Sequence, residues 1–310
     1  MLNFYKTFDN RVRQIAAVED GCWVCAICPT EQEVRYLMDV LGLEQDFVRA
    51  ALDEEETSRI ESEDDQTLIV VDVPVAEKQD EEKTIVYSTM PMAIISNNNF
   101  ITTVCLRENA VITEISQGLV KNIQTHMRTH FLLSILLRIA TRFLQYLKQI
   151  DKISYTTENL LHKTMRNKEL VQILGLEKSL VYFSTSLKSN EVTLEKILRG
   201  RLIKLYDEDE ELLEDVIIEV KQAIEMCSIY SNVLSNTMDA FASIISNNLN
   251  IVMKVLTALT IVMALPNVIF GMYGMNVEGM PMPYFWFAML LAGLLMLVCM
   301  VILWKKDMFH

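Results

Sequence analysis

Glycine and proline are scarce in this chain, 9 and 6 among 310 residues. Neither occurs from Asp207 to Leu265, and Pro266 is the first interruption. A stretch of about 60 residues without a breaker predicts one continuous helix, roughly 90 Å long at 1.5 Å per residue. Also missing are the glycine-rich phosphate loop, the dinucleotide fingerprint and the strand–turn–helix serine elbow. Without them, nucleotide chemistry and nucleophilic catalysis have no foothold here. The opening Met1-Leu2-Asn3-Phe4-Tyr5-Lys6 lacks a basic stretch followed by an apolar core, so no signal peptide is expected. There are no internal repeats and no low-complexity tracts. Basic residues are outnumbered 28 to 41, a net charge of −13, which excludes nucleic acid as a partner and disfavours anionic lipid heads against the charged part of the chain.

The absence with most consequence is that of charge near the C-terminus. Lys254 is followed by 23 residues without a formal charge, then Glu278, then 26 more before Lys305 and Lys306. Each run is long enough to cross a hydrocarbon core of about 30 Å as a helix. The 51% hydrophobic content is concentrated there, so the chain reads as a charged body followed by a two-span membrane hairpin with a short loop. Lysines flank the far ends of both spans and only Glu278 lies between them, which puts both termini in the cytoplasm. The six cysteines then sit in a reducing compartment or, for Cys299, in lipid, and are expected to be free.

Within the body, Gly21–Cys28 reads as a buried strand, and Thr30 with Glu33 forms a capping box opening a helix to about Leu43. A short helix follows over about 44–55. Thr67–Val75, Thr84–Ile95 and Asn99–Cys105 are rich in Val, Ile and Thr and read as strands, followed by a helix over about 108–119. From about 126 the pattern is helical almost to the end, broken near 166 and 206. The expected organisation is an α/β domain with αβα layering over 1–125, a long antiparallel helix pair over 126–206, and a stalk helix over 207–273 whose last part, about 251–273, is the first span. An outer loop covers 274–283, the second span 284–304 and a basic tail 305–310.

The first span is not uniformly apolar. At three- to four-residue spacing Asn250, Met253, Thr257, Thr260, Ala264, Asn267, Gly271 and Gly274 share one face, while Val255, Leu259, Val262, Leu265, Ile269 and Phe270 occupy the others. Amides and hydroxyls facing lipid are costly, so this stripe must face protein or water. Two readings are open: a helix–helix seam, which accounts for the small residues, or the lining of a water-filled path. Pro266 frees a carbonyl one turn earlier, which either kinks the helix or offers that carbonyl to the path.

Tyr273-Gly274-Met275-Asn276 at the outer end of the first span, with Glu278 and Met280-Pro281 just beyond and a second span and basic tail after them, resembles the CorA family of divalent-cation channels. The resemblance implies a homopentameric funnel in which the first span of each chain lines the pore, with selection at Gly274, Met275 and Asn276 and an entrance at Glu278. It implies Mg²⁺ as both transported and regulatory ion, with Co²⁺ or Ni²⁺ as further substrates. The chemistry is coherent, because Mg²⁺ releases its inner waters reluctantly. Neutral acceptors such as the Asn276 amide and the Gly274 carbonyl can hold the hydrated ion through those waters. Family members often carry an acid directly after the Met-Pro of this loop; here Met282-Pro283 follows, leaving Glu278 as the acid at the mouth. Met253 and Leu256 are the candidate apolar gate near the cytoplasmic end.

Between Asp207 and Glu219 eight of thirteen residues are acidic. Acids there suit the positive end of the helix dipole. They also suit a divalent-ion sensor between subunits, and the resemblance points to Asp215, with Glu211 beside it and Glu77 of a neighbouring chain as partner; Asp80, Glu81 and Glu82 are alternatives to Glu77. Cys22, Cys25 and Cys28 have metal-like spacing, but in a strand positions i and i+3 face opposite ways, so buried free cysteines are expected. His126 and His130 are four apart on a helix and read as a wet helix face. Transport should be passive. Two other readings remain: a Zn²⁺ transporter of the same fold, and a tail-anchored Mg²⁺-sensing scaffold that does not conduct.

Overall fold

The structure, a computed structural model, describes all residues except 80–83, 165–166, 201, 276–281, 283, 307 and 309–310. Met1–Asn236 forms one compact unit and Thr237–His310 a second.

The first unit is built on a seven-stranded mixed sheet of order β2-β1-β3-β7-β6-β5-β4. The strands are β1 (Leu2–Phe8), β2 (Arg11–Ile15), β3 (Trp23–Ile27), β4 (Arg59–Glu63), β5 (Gln66–Gln79), β6 (Thr84–Ser96) and β7 (Ile101–Cys105). Only β3 and β7 pair in parallel; the other neighbours are antiparallel. β1, β2 and β4 are strands that the composition did not announce. β2 and β4 lie at the two edges of the sheet and are rich in charge, the pattern that blunts an exposed edge and hides the apolar alternation of a strand. β1 and β2 are joined by Asp9 and Asn10, both left-handed, as a two-residue hairpin turn requires.

One face of the sheet carries α1 (Glu31–Arg35), a π-helical turn (Tyr36–Val40) and α2 (Gln45–Ala50). Val34, Leu37, Phe47 and Val48 pack there against Cys22, just before β3, Val24 and Ala26 of β3, and Leu68 and Val70 of β5. The capping box is present: the Glu33 amide donates to Thr30 Oγ1 at 3.3 Å, and the Thr30 amide to Glu33 Oε2 at 2.8 Å. The helix stops at Val40 rather than Leu43 because Gly42 takes a left-handed conformation just past its end. The helices expected over 44–55 and 108–119 are likewise shorter, Gln45–Ala50 and α3 (Ala110–Ser116).

Trp23 points to the opposite face, where its ring meets Phe131 edge-on at 5.6 Å and its Nε1–H donates to Thr103 Oγ1 at 2.9 Å. Phe131 belongs to α4 (Arg128–Thr164), which pairs with α5 (Asn167–Gly200). Phe143 of α4 and Phe183 of α5 lock together at 5.0 Å, with Tyr87 of β6 against Phe183 at 6.2 Å. The helix pair therefore belongs to the same compact unit as the sheet. α6 (Asp207–Tyr273) follows, with Pro266 inside it, and then α7 (Phe285–Lys305). Both are long and apolar enough to cross a membrane.

Candidate functional site

Within the second unit, Ala258 and Val262 of α6 and Ala288 and Ala292 of α7 are buried, at 0, 4, 5 and 3% exposure, while most of the surrounding residues are open. Small side chains at such a seam let two helix backbones approach closely in a medium that provides no hydrophobic drive. The seam is not the polar stripe. At about 100° per residue, Ala258 and Val262 lie on the far side of α6 from it. Asn250, Met253, Leu256, Thr257, Thr260, Ala264, Asn267 and Gly271 are all exposed in the single chain. Packing of the two spans of one chain therefore leaves the stripe free.

The hydroxyls of this stripe are less exacting than their composition suggests. Thr257 Oγ1 donates to the Met253 carbonyl at 2.7 Å and Thr260 Oγ1 to the Leu256 carbonyl at 2.8 Å. A hydroxyl whose proton is held inside the helix is satisfied even in lipid, and turns only acceptor lone pairs outward. The demand for a polar or protein environment thus rests on Asn250 and Asn267, whose amides make no hydrogen bond to another described residue.

α6 ends where the tetrapeptide begins. The Gly274 amide donates to the Phe270 carbonyl at 2.9 Å and the Met275 amide to the Met272 carbonyl at 3.3 Å. A Cβ at position 274 would lie 3.1 Å from the Phe270 carbonyl oxygen, tighter than an ordinary contact, so glycine suits this closing turn. Asn276, Glu278 and the Met280-Pro281 pair lie outside the described residues.

In the first unit, the acidic start of α6 divides into two populations. Asp209 is buried; its Oδ2 accepts from the Tyr206 amide at 3.3 Å and its Oδ1 lies 3.5 Å from His130 Nδ1 of α4. That acid serves the helix start, and His130 is its partner rather than part of a metal pair with His126, whose Cβ packs where a side chain at Gly21 would go. Asp207, Glu211, Glu214 and Asp215 are exposed. Glu77 lies inside β5, opposite Val86 in the ladder, rather than beyond the end of a strand closing at Val75, because the β5–β6 pairing continues to Gln79. Its carboxylate pairs with Arg107, a partner that the sequence did not reveal. Among the described residues of the single chain, no three His, Cys, Asp or Glu side chains are grouped to hold a metal. Asp80, Glu81 and Glu82 lie outside the described residues.

Cys22 faces the α1–α2 core and Cys25 the opposite side near Thr103, as alternation requires, but Cys28 is not buried as expected: the strand ends at Ile27 and Cys28 is exposed in a left-handed turn. Burial pushes the Cys25 and Cys105 thiols up to about 12, far from thiolate chemistry.

Over 287 residues the chain is 28% identical to a cobalt/magnesium transport protein CorA of Methanocaldococcus jannaschii, covering 89% of this chain and 87% of that one. The complete structure of the CorA magnesium transporter from that organism matches with a TM-score of 0.81 at 25% identity, over 99% of this chain and 96% of the other. The ZntB cytoplasmic domain from Vibrio parahaemolyticus shares the fold, with a TM-score of 0.61 over 79% of this chain and 98% of that one, at 12% identity. A profile of the family described as CorA-like Mg²⁺ transporter protein matches residues 18–306. With a match over nearly its whole length, a mixed-sheet body and two apolar C-terminal helices, the chain belongs to the CorA-like Mg²⁺ transporter family.

Proposed function

We propose that this protein is a passive Mg²⁺ channel of the plasma (inner) membrane, assembled as a homopentamer with both termini in the cytoplasm. The observation that carries the reading is the polar face of α6, left uncovered by α7 while a separate small-residue seam joins the two spans. Two helices cannot enclose a water-filled path, so copies must close around an axis, each giving this face to the wall. The outward lone pairs of Thr257 and Thr260 and the amides of Asn250 and Asn267 suit the water shell of a hydrated cation. Gly274, Met275 and Asn276 form the selective entrance, where a ring of Asn276 amides accepts from inner-sphere waters, and Glu278 attracts cations to the mouth. Co²⁺ is a further substrate, in line with the cobalt/magnesium name of the M. jannaschii relative, and Ni²⁺, a hexahydrated divalent ion of similar size, is another. Membrane potential drives entry, at about 2.3 kcal/mol per charge per 100 mV.

Cytoplasmic Mg²⁺ closes the path. The exposed Asp215 and Glu211 of one chain, with Glu77 of the next, hold the ion between subunits; Glu77 must exchange its Arg107 partner to do so. Met253 and Leu256, 53 and 54% exposed on the free face, narrow the cytoplasmic end.

The test is metal-specific uptake into proteoliposomes containing only this protein, with the interior negative. Mg²⁺ should enter in proportion to potential, and Asn276→Ala should lower flux by at least about tenfold while the oligomer stays intact by size exclusion. Uptake of Zn²⁺ in preference to Mg²⁺ would make this a zinc transporter of the same fold. No flux of any divalent ion through a correctly assembled oligomer would leave a Mg²⁺-sensing scaffold.

A further inference from the structure

The second unit carries an apolar groove of about 360 Å³ between its two helices, lined by Leu259 and Val262 of α6 and by Met300, Val301 and Trp304 of α7. Among the described residues, no charged, amide or hydroxyl side chain lines it. Its place in the hairpin is fixed by its lining: Trp304 is followed at once by Lys305 and Lys306, and Leu259 lies five residues, under 8 Å of helix, beyond Lys254. Three lysines therefore stand at the level of one end of the groove. All three are exposed, and none is in an ion pair with another described residue. Asp307, next in the chain, opposes them, leaving a local excess of two positive charges in a protein whose net charge is −13. Over a screening length of about 8 Å, the local charge and not the total decides what approaches.

Leu259 and Val262 lie roughly opposite the polar stripe on α6, at about 100° per residue. If the stripe faces the pore axis, the groove faces the bilayer; the inference rests on that reading and on the orientation proposed above. Trp304, 68% exposed beside the lysines, suits the boundary between hydrocarbon and headgroups.

We propose that this groove is a binding site for one anionic phospholipid of the cytoplasmic leaflet, an acyl chain lying along Leu259, Val262, Met300 and Val301 and its phosphate held by Lys254, Lys305 and Lys306. A zwitterionic lipid fills the groove equally well but lacks the net charge that the lysine collar attracts.

Trp304 is the reporter. A Trp286→Phe variant removes the other tryptophan of the hairpin, and Trp23, fully buried in the first unit, remains as a constant background. The full-length oligomer is reconstituted in phosphatidylcholine bilayers doped with either phosphatidylglycerol or phosphatidylcholine brominated on the acyl chain. At equal low mole fraction the brominated phosphatidylglycerol should quench Trp304 with about fivefold higher apparent affinity, the scale set by attraction of anionic lipid to a few juxtamembrane lysines. Neutralising Lys254, Lys305 and Lys306 to Gln should bring the two lipids to parity. Raising ionic strength to 1 M should do so in the unsubstituted collar, which covers the case in which the triple variant fails to insert. Equal quenching by both lipids in low salt would overturn this inference and leave the pore reading intact. Quenching by neither would mean that a second copy covers the groove, overturning both the lipid site and the outward placement of this face.

Discussion

The Asn190 side chain pairs with the backbone of Asp72 as a neighbouring strand would. The Asp72 amide donates to Asn190 Oδ1 at 2.8 Å, and Asn190 Nδ2 donates to the Asp72 carbonyl at 2.9 Å. Asp72 lies beyond Val70, where β4 stops pairing with β5, on the edge of the strand turned away from β6. Its two backbone groups would have no ladder partner. The amide of α5 supplies both, and Ser58 Oγ adds a third bond to Asn190 Oδ1 at 2.9 Å.

Asn190→Ala should therefore destabilise the first unit by about 2–4 kcal/mol, since two buried backbone groups lose their partners. For a unit of this size that is a fall in Tm of about 5–10 °C, read by circular dichroism of the full-length protein. A change under about 1 °C would mean that the strand finds other partners.

Asp72 makes its own pH prediction. Burial raises its pKa above the ordinary 3.8, and a hydrogen bond with Ser186 offsets part of that rise. A carboxyl raised on folding favours the folded state while protonated, so its contribution is complete below about 3.8 and is lost as pH rises through the folded value. Asp72→Asn should then raise Tm at pH 7, with the gain shrinking as pH falls into the carboxylate range. A variant less stable than the parent at pH 7 would show that the charged form is the favoured one.

Asn267→Leu tests the free face of α6. It adds bulk and removes an amide where α7 makes no contact that buries the residue. Flux should fall about tenfold with the oligomer unchanged on size exclusion. If the stripe were only a seam between chains, the oligomer would loosen while flux per assembled channel stayed normal.

Asp215→Lys places a fixed cation where the proposed sensor holds its ion. Closure should then need less Mg²⁺, because occupancy shifts the equilibrium only as far as the closed state binds better. Protease protection of the soluble unit, Mg²⁺-dependent in the parent, should become metal-independent. A parent insensitive to Mg²⁺ across the millimolar range would reduce the acids at the start of α6 to a solvated helix terminus, the role that Asp209 already fills with Tyr206 and His130.

What the sequence determined by itself was whatever rests on near neighbours. Two uncharged runs announced the spans, the lack of Gly and Pro announced α6 from Asp207 to Tyr273, and Thr30 with Glu33 announced a helix start, because each depends on residues within a few turns. The tetrapeptide Tyr273–Asn276 carried the family for the same reason. Tertiary structure decided what depends on partners far along the chain. The charged strands β2 and β4 exist because β1 and β5 pair with them, overriding a weak local pattern. Glu77 meets Arg107 thirty residues away, and Asn190 meets Asp72 across 118. On α6, spacing alone could sort residues into faces but could not say which face meets α7. That was settled by where Ala288 and Ala292 come to rest, since small residues mark a seam only when a second helix is laid against them.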